Sequence, residues 1–118
     1  MKHIYGIILL LFLVSTSSVA MTIPADSVDL MKAQADSAYA NEDFEAAERI
    51  YLQLAEQGES AVVCYNLGCT YYRQDNIAKA VLWFERASQL DPSDDDIRFN
   101  LAMARGKTID RIIPRHEM

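Results

Sequence analysis

Four aspartates lie close together near the middle of the C-terminal half, and carboxylates at such spacing could bind calcium. They are Asp91, Asp94, Asp95 and Asp96. An EF-hand loop also requires a glycine at its turn and a glutamate at its far end, and this segment has neither. Acidic side chains at the start of a helix are favoured by the helix dipole. We therefore predict that these aspartates cap and solvate a helix and that there is no metal site, with calcium binding kept as an alternative.

The cysteines and histidines are the other residues that could do chemistry. Cys64 and Cys69 lie five residues apart on a predicted helix, so their side chains point about 140° apart and cannot bond to each other. Cys64 is expected to be buried and Cys69 to lie near the surface, where a thiol outside the cytoplasm could form an intermolecular disulfide; a thiol-redox protein is therefore a further alternative. His116 follows Pro114 in the C-terminal tail, with nothing nearby to anchor it against a nucleophile. We expect no catalysis, no cofactor and no small-molecule substrate.

The N-terminal segment has the pattern of an export signal. A positive end precedes an apolar stretch over residues 4–14, and small residues follow as far as Ala20. This order is typical of a secretory signal peptide. We predict that residues 1–20 are removed and that the mature protein is periplasmic or secreted. The alternative is that residues 4–23 remain and anchor the protein in the inner membrane, since about 20 apolar residues can span a bilayer.

The charge balance argues against two classes of partner. The chain has 11 basic and 17 acidic residues, and removing residues 1–20 takes away one lysine, which leaves 10 minus 17, a net charge of −7. Binding to nucleic acid or to anionic lipid depends on clustered lysine and arginine. We expect neither partner, and membrane contact only if the N-terminal segment is retained.

The remainder of the chain is predicted to be helical throughout. Apolar residues recur at helical spacing from about Ser27 to Ile113, and no segment alternates with a period of two. Asp43, Ser60, Asn76 and Ser93 are each placed to cap the helix that follows, and Ser93 with Asp96 resembles a capping box. The predicted breaks between helices fall at residues 40–43, 57–60, 74–76 and 90–93.

The helical segments repeat. With a shift of 33, Ala35 aligns with Gly68 and Tyr51 with Phe84. With a shift of 34, residues 65–68 align with residues 99–102. A period of 33 or 34 residues with paired helices indicates an array of stacked hairpins.

The middle unit resembles the tetratricopeptide repeat, whose spacing it follows at Leu67, Gly68, Tyr71, Ala80, Phe84, Ala87 and Pro92. The resemblance implies an all-α solenoid of two helix pairs with a C-terminal capping helix. Glycine within a helix costs about 1 kcal/mol relative to alanine. We therefore expect Gly68 to be a packing residue that lets a second helix approach closely. The predicted divisions are a linker at residues 21–26, a degenerate first repeat at 27–59, a second repeat at 60–93, a partial third repeat or capping helix at 94–113, and a tail at 114–118.

A narrower resemblance comes from the C-terminal part. Residues 94–102 and 107–110 are similar to the tetratricopeptide protein of the Bacteroides-type aerotolerance (Bat) operons, whose members are exported and thought to work in envelope complexes. This resemblance implies an adaptor within an envelope complex. A self-associating structural subunit is an alternative, because the last helix leaves its far side uncovered.

The family's usual mode of action is to hold a peptide or partner helix in a concave groove lined by the first helix of each pair. One subfamily clamps a terminal carboxylate there, but two of the aligned positions are the acidic Asp36 and Asp96, which would repel it. These two residues instead predict a partner that carries positive charge. The expected groove residues are Lys32, Asp36, Tyr65, Asn66, Cys69, Tyr72, Arg73, Asp96 and Asn100.

Overall fold

The structure is a computed structural model that describes residues 24–112, and this part of the chain is helical, with no strand. None of its helices is both long enough and apolar enough to cross a membrane. The predicted signal peptide or anchor, His116 and the C-terminal tail lie outside the described residues. The helices are α1 (Ala25–Ala40), α2 (Phe44–Gln57), α3 (Ala61–Arg73), α4 (Ile77–Leu90) and α5 (Asp95–Ile112).

Three of the four predicted helix caps are confirmed. The side chains of Asp43, Ser60 and Asn76 each accept a hydrogen bond from the backbone N–H three residues later, at 3.2, 3.4 and 3.3 Å. Each of these bonds satisfies an N–H group that the first turn of a helix leaves free. The start of α1 differs: it begins at Ala25, directly after Pro24, and has no side-chain cap.

The prediction for the start of α5 was wrong. Asp94, not Ser93, caps this helix, because its carboxylate accepts the N–H of Ile97 at 3.0 Å. The hydroxyl of Ser93 donates instead to the carboxylate of Asp91, at 3.1 Å. The helix begins one residue later than expected, at Asp95, so the serine lies outside the first turn and the predicted capping box does not form.

The two turns within the helix pairs are copies of each other. Glu42 and Asp75, 33 residues apart, both adopt a left-handed conformation with φ of 62°. Each turn is closed by the same three backbone hydrogen bonds, moved along the chain by 33 residues. Glu42 forms an ion pair with Arg73 at 3.1 Å, and Asp75 pairs with Arg111. Each of these turns is therefore tied to the C-terminal part of the next odd-numbered helix.

The helices pack in the order of the chain, as a stack of hairpins requires. α1 packs on α2 and α3 on α4, while α2 contacts α3 and α4 contacts α5. The short turns within each pair make its two helices antiparallel. The first hairpin (α1–α2), the second hairpin (α3–α4) and the single α5 thus form an all-α solenoid, as predicted.

The closest approach within the second hairpin occurs at Gly68. The ring of Phe84 on α4 lies directly over this glycine, and a Cβ atom placed there would lie 2.8 Å from Cγ of Phe84 and closer still to two other ring atoms. Phe84 is only 1% exposed and its ring also lies 5.8 Å from that of Tyr65. The predicted packing role of Gly68 is confirmed.

α5 covers the second hairpin on one side only. Ile97, Leu101 and Ala104 are buried against it, as the sequence predicted for a capping helix. Ile109 and Ile112 share their predicted helical spacing but are exposed. They come after the point at which the second hairpin offers a surface to pack against.

Candidate partner-binding groove

A cavity of about 520 Å³ lies between α1 and α3, with one side chain from α2 at its base. Five of the nine predicted groove residues line it: Lys32, Asp36, Tyr65, Asn66 and Cys69. Residues at a spacing of three or four share one face of a helix. The sequence therefore correctly placed this set of side chains on the same concave surface.

Asp36 is held by two neighbours inside this cavity. Its carboxylate pairs with the ammonium of Lys32 at 2.7 Å and accepts a short hydrogen bond from the hydroxyl of Tyr51. Burial acts to raise the pKa of Asp36, but the bonds from Lys32 and Tyr51 outweigh it, so the pKa lies below its usual 3.8. Burial and the nearby carboxylate raise the pKa of Tyr51 well above its usual value. The negative charge of Asp36 is thus largely satisfied within the protein.

Tyr65 joins the cavity to the last helix. Its hydroxyl accepts a hydrogen bond from the amide of Asn100 at 3.0 Å, which links α3 to α5. Burial raises the pKa of Tyr65 to about 12, and Cys69 and Asp96 act in the same direction. The phenol is therefore neutral at physiological pH and offers an uncharged polar edge to the groove.

A second, smaller hollow of about 100 Å³ continues the groove toward the N-terminal end of α5. Val62 and Tyr65 line both hollows, and Val62 is 53% exposed. The remaining walls are apolar residues of α3 and α5 and three aspartates: Asp91, Asp94 and Asp96. The groove therefore runs from α1 across α3 to α5 and is acidic at the α5 end.

Tyr72 and Arg73 lie at the other end of α3, away from both hollows. The ammonium of Lys107 sits 4.7 Å from the ring centre of Tyr72, and Arg73 lies over the ring of Phe44 as well as pairing with Glu42. Both residues hold neighbouring elements together.

Cys69 is half-buried in the cavity wall, whereas Cys64 is buried between α3, α4 and α5. Both thiols are free. Burial raises the pKa of each thiol, so each is protonated at neutral pH. The reactive form of cysteine is the thiolate, and neither site favours it.

The aspartates near α5 have structural partners. Asp94 caps the helix, Asp91 accepts from Ser93, and Asp95 pairs with Arg98. Within residues 24–112 no group of three or more histidine, cysteine or acidic side chains is arranged to hold a metal ion.

Three cavity residues were not predicted from the sequence: Tyr39, Tyr51 and Val62. The repeat already aligned Tyr39 with the candidate Tyr72, and Val62 lies three residues before Tyr65 on the same helical face. These two could have been found by carrying the spacing further. Tyr51 could not, because its ring is 2% exposed and only its hydroxyl reaches the cavity, to meet Asp36.

Comparison with known protein families identifies one segment of the chain. The tetratricopeptide repeat family matches residues 61–94, which span α3, α4 and the turn before α5. The predicted second repeat, residues 60–93, differs from this match by one residue at each end. No curated protein matches the chain.

Proposed function

We propose that this protein is a non-catalytic adaptor that holds a peptide or helix of a partner protein in the groove formed by α1, α3 and α5. Tetratricopeptide repeats typically bind protein partners and are generally not catalytic. The observation that carries the proposal is the continuity of the groove. Val62 and Tyr65 belong to both hollows, so one ligand could contact α1, α3 and α5 together.

The chemistry of the groove favours a particular kind of ligand. The larger hollow has a mostly apolar and aromatic wall, and its main charges, on Lys32 and Asp36, neutralise each other. It suits an apolar or aromatic side chain, whose burial contributes about 25 cal/mol per Å². The three carboxylates of the smaller hollow favour a basic side chain next to it. The sequence had assigned the attraction for positive charge to Asp36 and Asp96; with Asp36 satisfied, we assign it to the α5 end alone.

The cellular setting forms a further part of the proposal. The signal-like residues 1–20 and the similarity to the Bat operon protein support export and a place in an envelope complex. Sequencing the N-terminus of the protein recovered from the periplasm tests this: a start at Met21 is expected. An intact Met1 in the membrane fraction would mean that the segment serves as an anchor.

Site-directed photocrosslinking tests the groove. We expect a photoreactive amino acid at Asn66 to capture a partner in living cells, and the same group at Leu82 to capture it much less. Leu82 is a matched control because it is also surface-accessible but lies on α4, outside the groove. Equal capture from both positions would contradict the proposal.

Binding of the captured partner, once purified, gives the quantitative test. We expect Val62→Asp to weaken binding at least tenfold, because it places a charge where the ligand's apolar side chain would lie. Asp91→Asn should weaken binding less and should reduce its dependence on salt. Unchanged affinity in both variants would show that the partner binds elsewhere.

A further inference from the structure

We propose that α5 mediates homodimerisation, by packing its uncovered face against the same face of a second copy in an antiparallel, two-fold symmetric pair. This surface is distinct from the two hollows of the groove.

The outer face of α5 is apolar and exposed. Phe99 is 69% exposed and Met103 is 37% exposed. At about 100° per residue, Phe99, Ala102 and Gly106 fall within an arc of about 60°, on the side of the helix opposite the buried Ile97 and Leu101. A large ring thus stands beside two small residues on one open surface.

The second hairpin shows how such a surface is covered in this protein. There the ring of Phe84 lies on Gly68, which has no side chain to keep it away. Gly106 offers the same bare backbone, and nothing lies within 4 Å of where its Cβ would be. In an antiparallel pair, Phe99 of each copy can lie over Gly106 of the other, which makes both contacts at once and requires no other surface.

The charges on the groove-side flank of α5 fit the same arrangement. Asp96 and Lys107 have no ion-pair partner within residues 24–112, whereas Arg98 and Arg105 are paired within the chain, with Asp95 and Glu85. Asp96 and Lys107 are eleven residues apart, close to three full turns, so they lie on the same flank. When Phe99 of one copy is level with Gly106 of the second, Asp96 is about 3 Å in height from Lys107 of that copy. Two symmetric ion pairs would then flank the apolar contact.

Sedimentation equilibrium of the full chain over a range of concentrations tests the proposal. The wild type should form a concentration-dependent dimer, with weak affinity because a single helix crossing is a small interface. Gly106→Leu should abolish the dimer while the protein melts no earlier than wild type, since the site is open in the monomer. A wild type that stays monomeric at the highest concentration, or a Gly106→Leu variant that still dimerises, would overturn the proposal.

Charge reversal tests the antiparallel register. Asp96→Lys and Lys107→Asp should each weaken the dimer about tenfold, because each replaces two attractions by repulsions. The double reversal should restore wild-type affinity, and a double variant as weak as the single ones would overturn the register. The control is Leu30→Asp, at an α1 residue that is 60% exposed, which should leave the dimer unchanged. Loss of the dimer in that control would indicate a different interface. All variants keep residues 1–23, so differences between them report on α5, and none of these results depends on the partner that binds the groove.

Discussion

Adding a single methyl group at Gly68 is the most direct test of the packing described above. In an open helix, Gly→Ala stabilises by about 1 kcal/mol. At Gly68 the new Cβ would overlap the ring of Phe84, which is 1% exposed and packed against Tyr65. Overpacking of this kind typically costs about 1–3 kcal/mol, or more when the ring cannot move. We therefore expect Gly68→Ala to be net destabilising by about 1–2 kcal/mol, in spite of its better helix propensity.

Gly106→Ala is the matched control. It is also a glycine within a helix, but nothing lies within 4 Å of its Cβ position. This variant should gain about 1 kcal/mol, so the two substitutions should move stability in opposite directions. For a domain of this size, 1 kcal/mol corresponds to a change of about 4–8 °C in melting temperature.

The assay is urea and thermal unfolding of both variants, followed by circular dichroism at a concentration low enough to keep the chain monomeric. A double variant, Gly68→Ala with Phe84→Leu, identifies the cause: with the ring removed, the alanine should cost much less than in the wild-type background. If Gly68→Ala and Gly106→Ala both stabilise the protein to the same degree, the proposed close approach of α3 and α4 is refuted.

Three further predictions concern single side chains. Asp94→Ala should lower the free energy of unfolding by about 1 kcal/mol through loss of the α5 cap, while Ser93→Ala should be nearly neutral in the same urea titration. Iodoacetamide should label Cys69 before Cys64, which should react only when the protein unfolds; equal rates by mass spectrometry would contradict the burial of Cys64. Because the pKa of Asp36 is lower in the folded protein, its ionised form stabilises the fold above about pH 4, and that contribution is lost as the pH falls through the folded-state pKa. Asp36→Asn should therefore lose less stability than the wild type between about pH 5 and about pH 2, and parallel curves would contradict the prediction.

The helical fold could be predicted largely from the sequence because its signals are local. The caps at Asp43, Ser60 and Asn76 each depend on a bond within three residues, and Gly68 carried its packing role in its spacing from the aromatic positions. Ser93 was misjudged because two adjacent residues could both cap α5, and the choice depends on where Ile97 packs.

The groove was harder to predict because its charges depend on contacts between distant helices. Asp36 looked available to a ligand in the sequence, but Tyr51 reaches it from α2, fifteen residues later. Arg73 was assigned to the groove, yet it pairs with Glu42 in the turn of the first hairpin. No periodicity within α1 or α3 could reveal either partner.

The left-handed turn residues suggest how such an array could grow. Glycine would adopt this backbone at lower cost, but only a residue with an acidic side chain can also pair with the arginine of the following unit. Residues 43–75 contain both an arginine for the turn before them and an acid for the helix after them. A tandem duplication of that segment would therefore supply its own fastening at each new junction, and the protein could lengthen by recombination without any new interaction having to evolve.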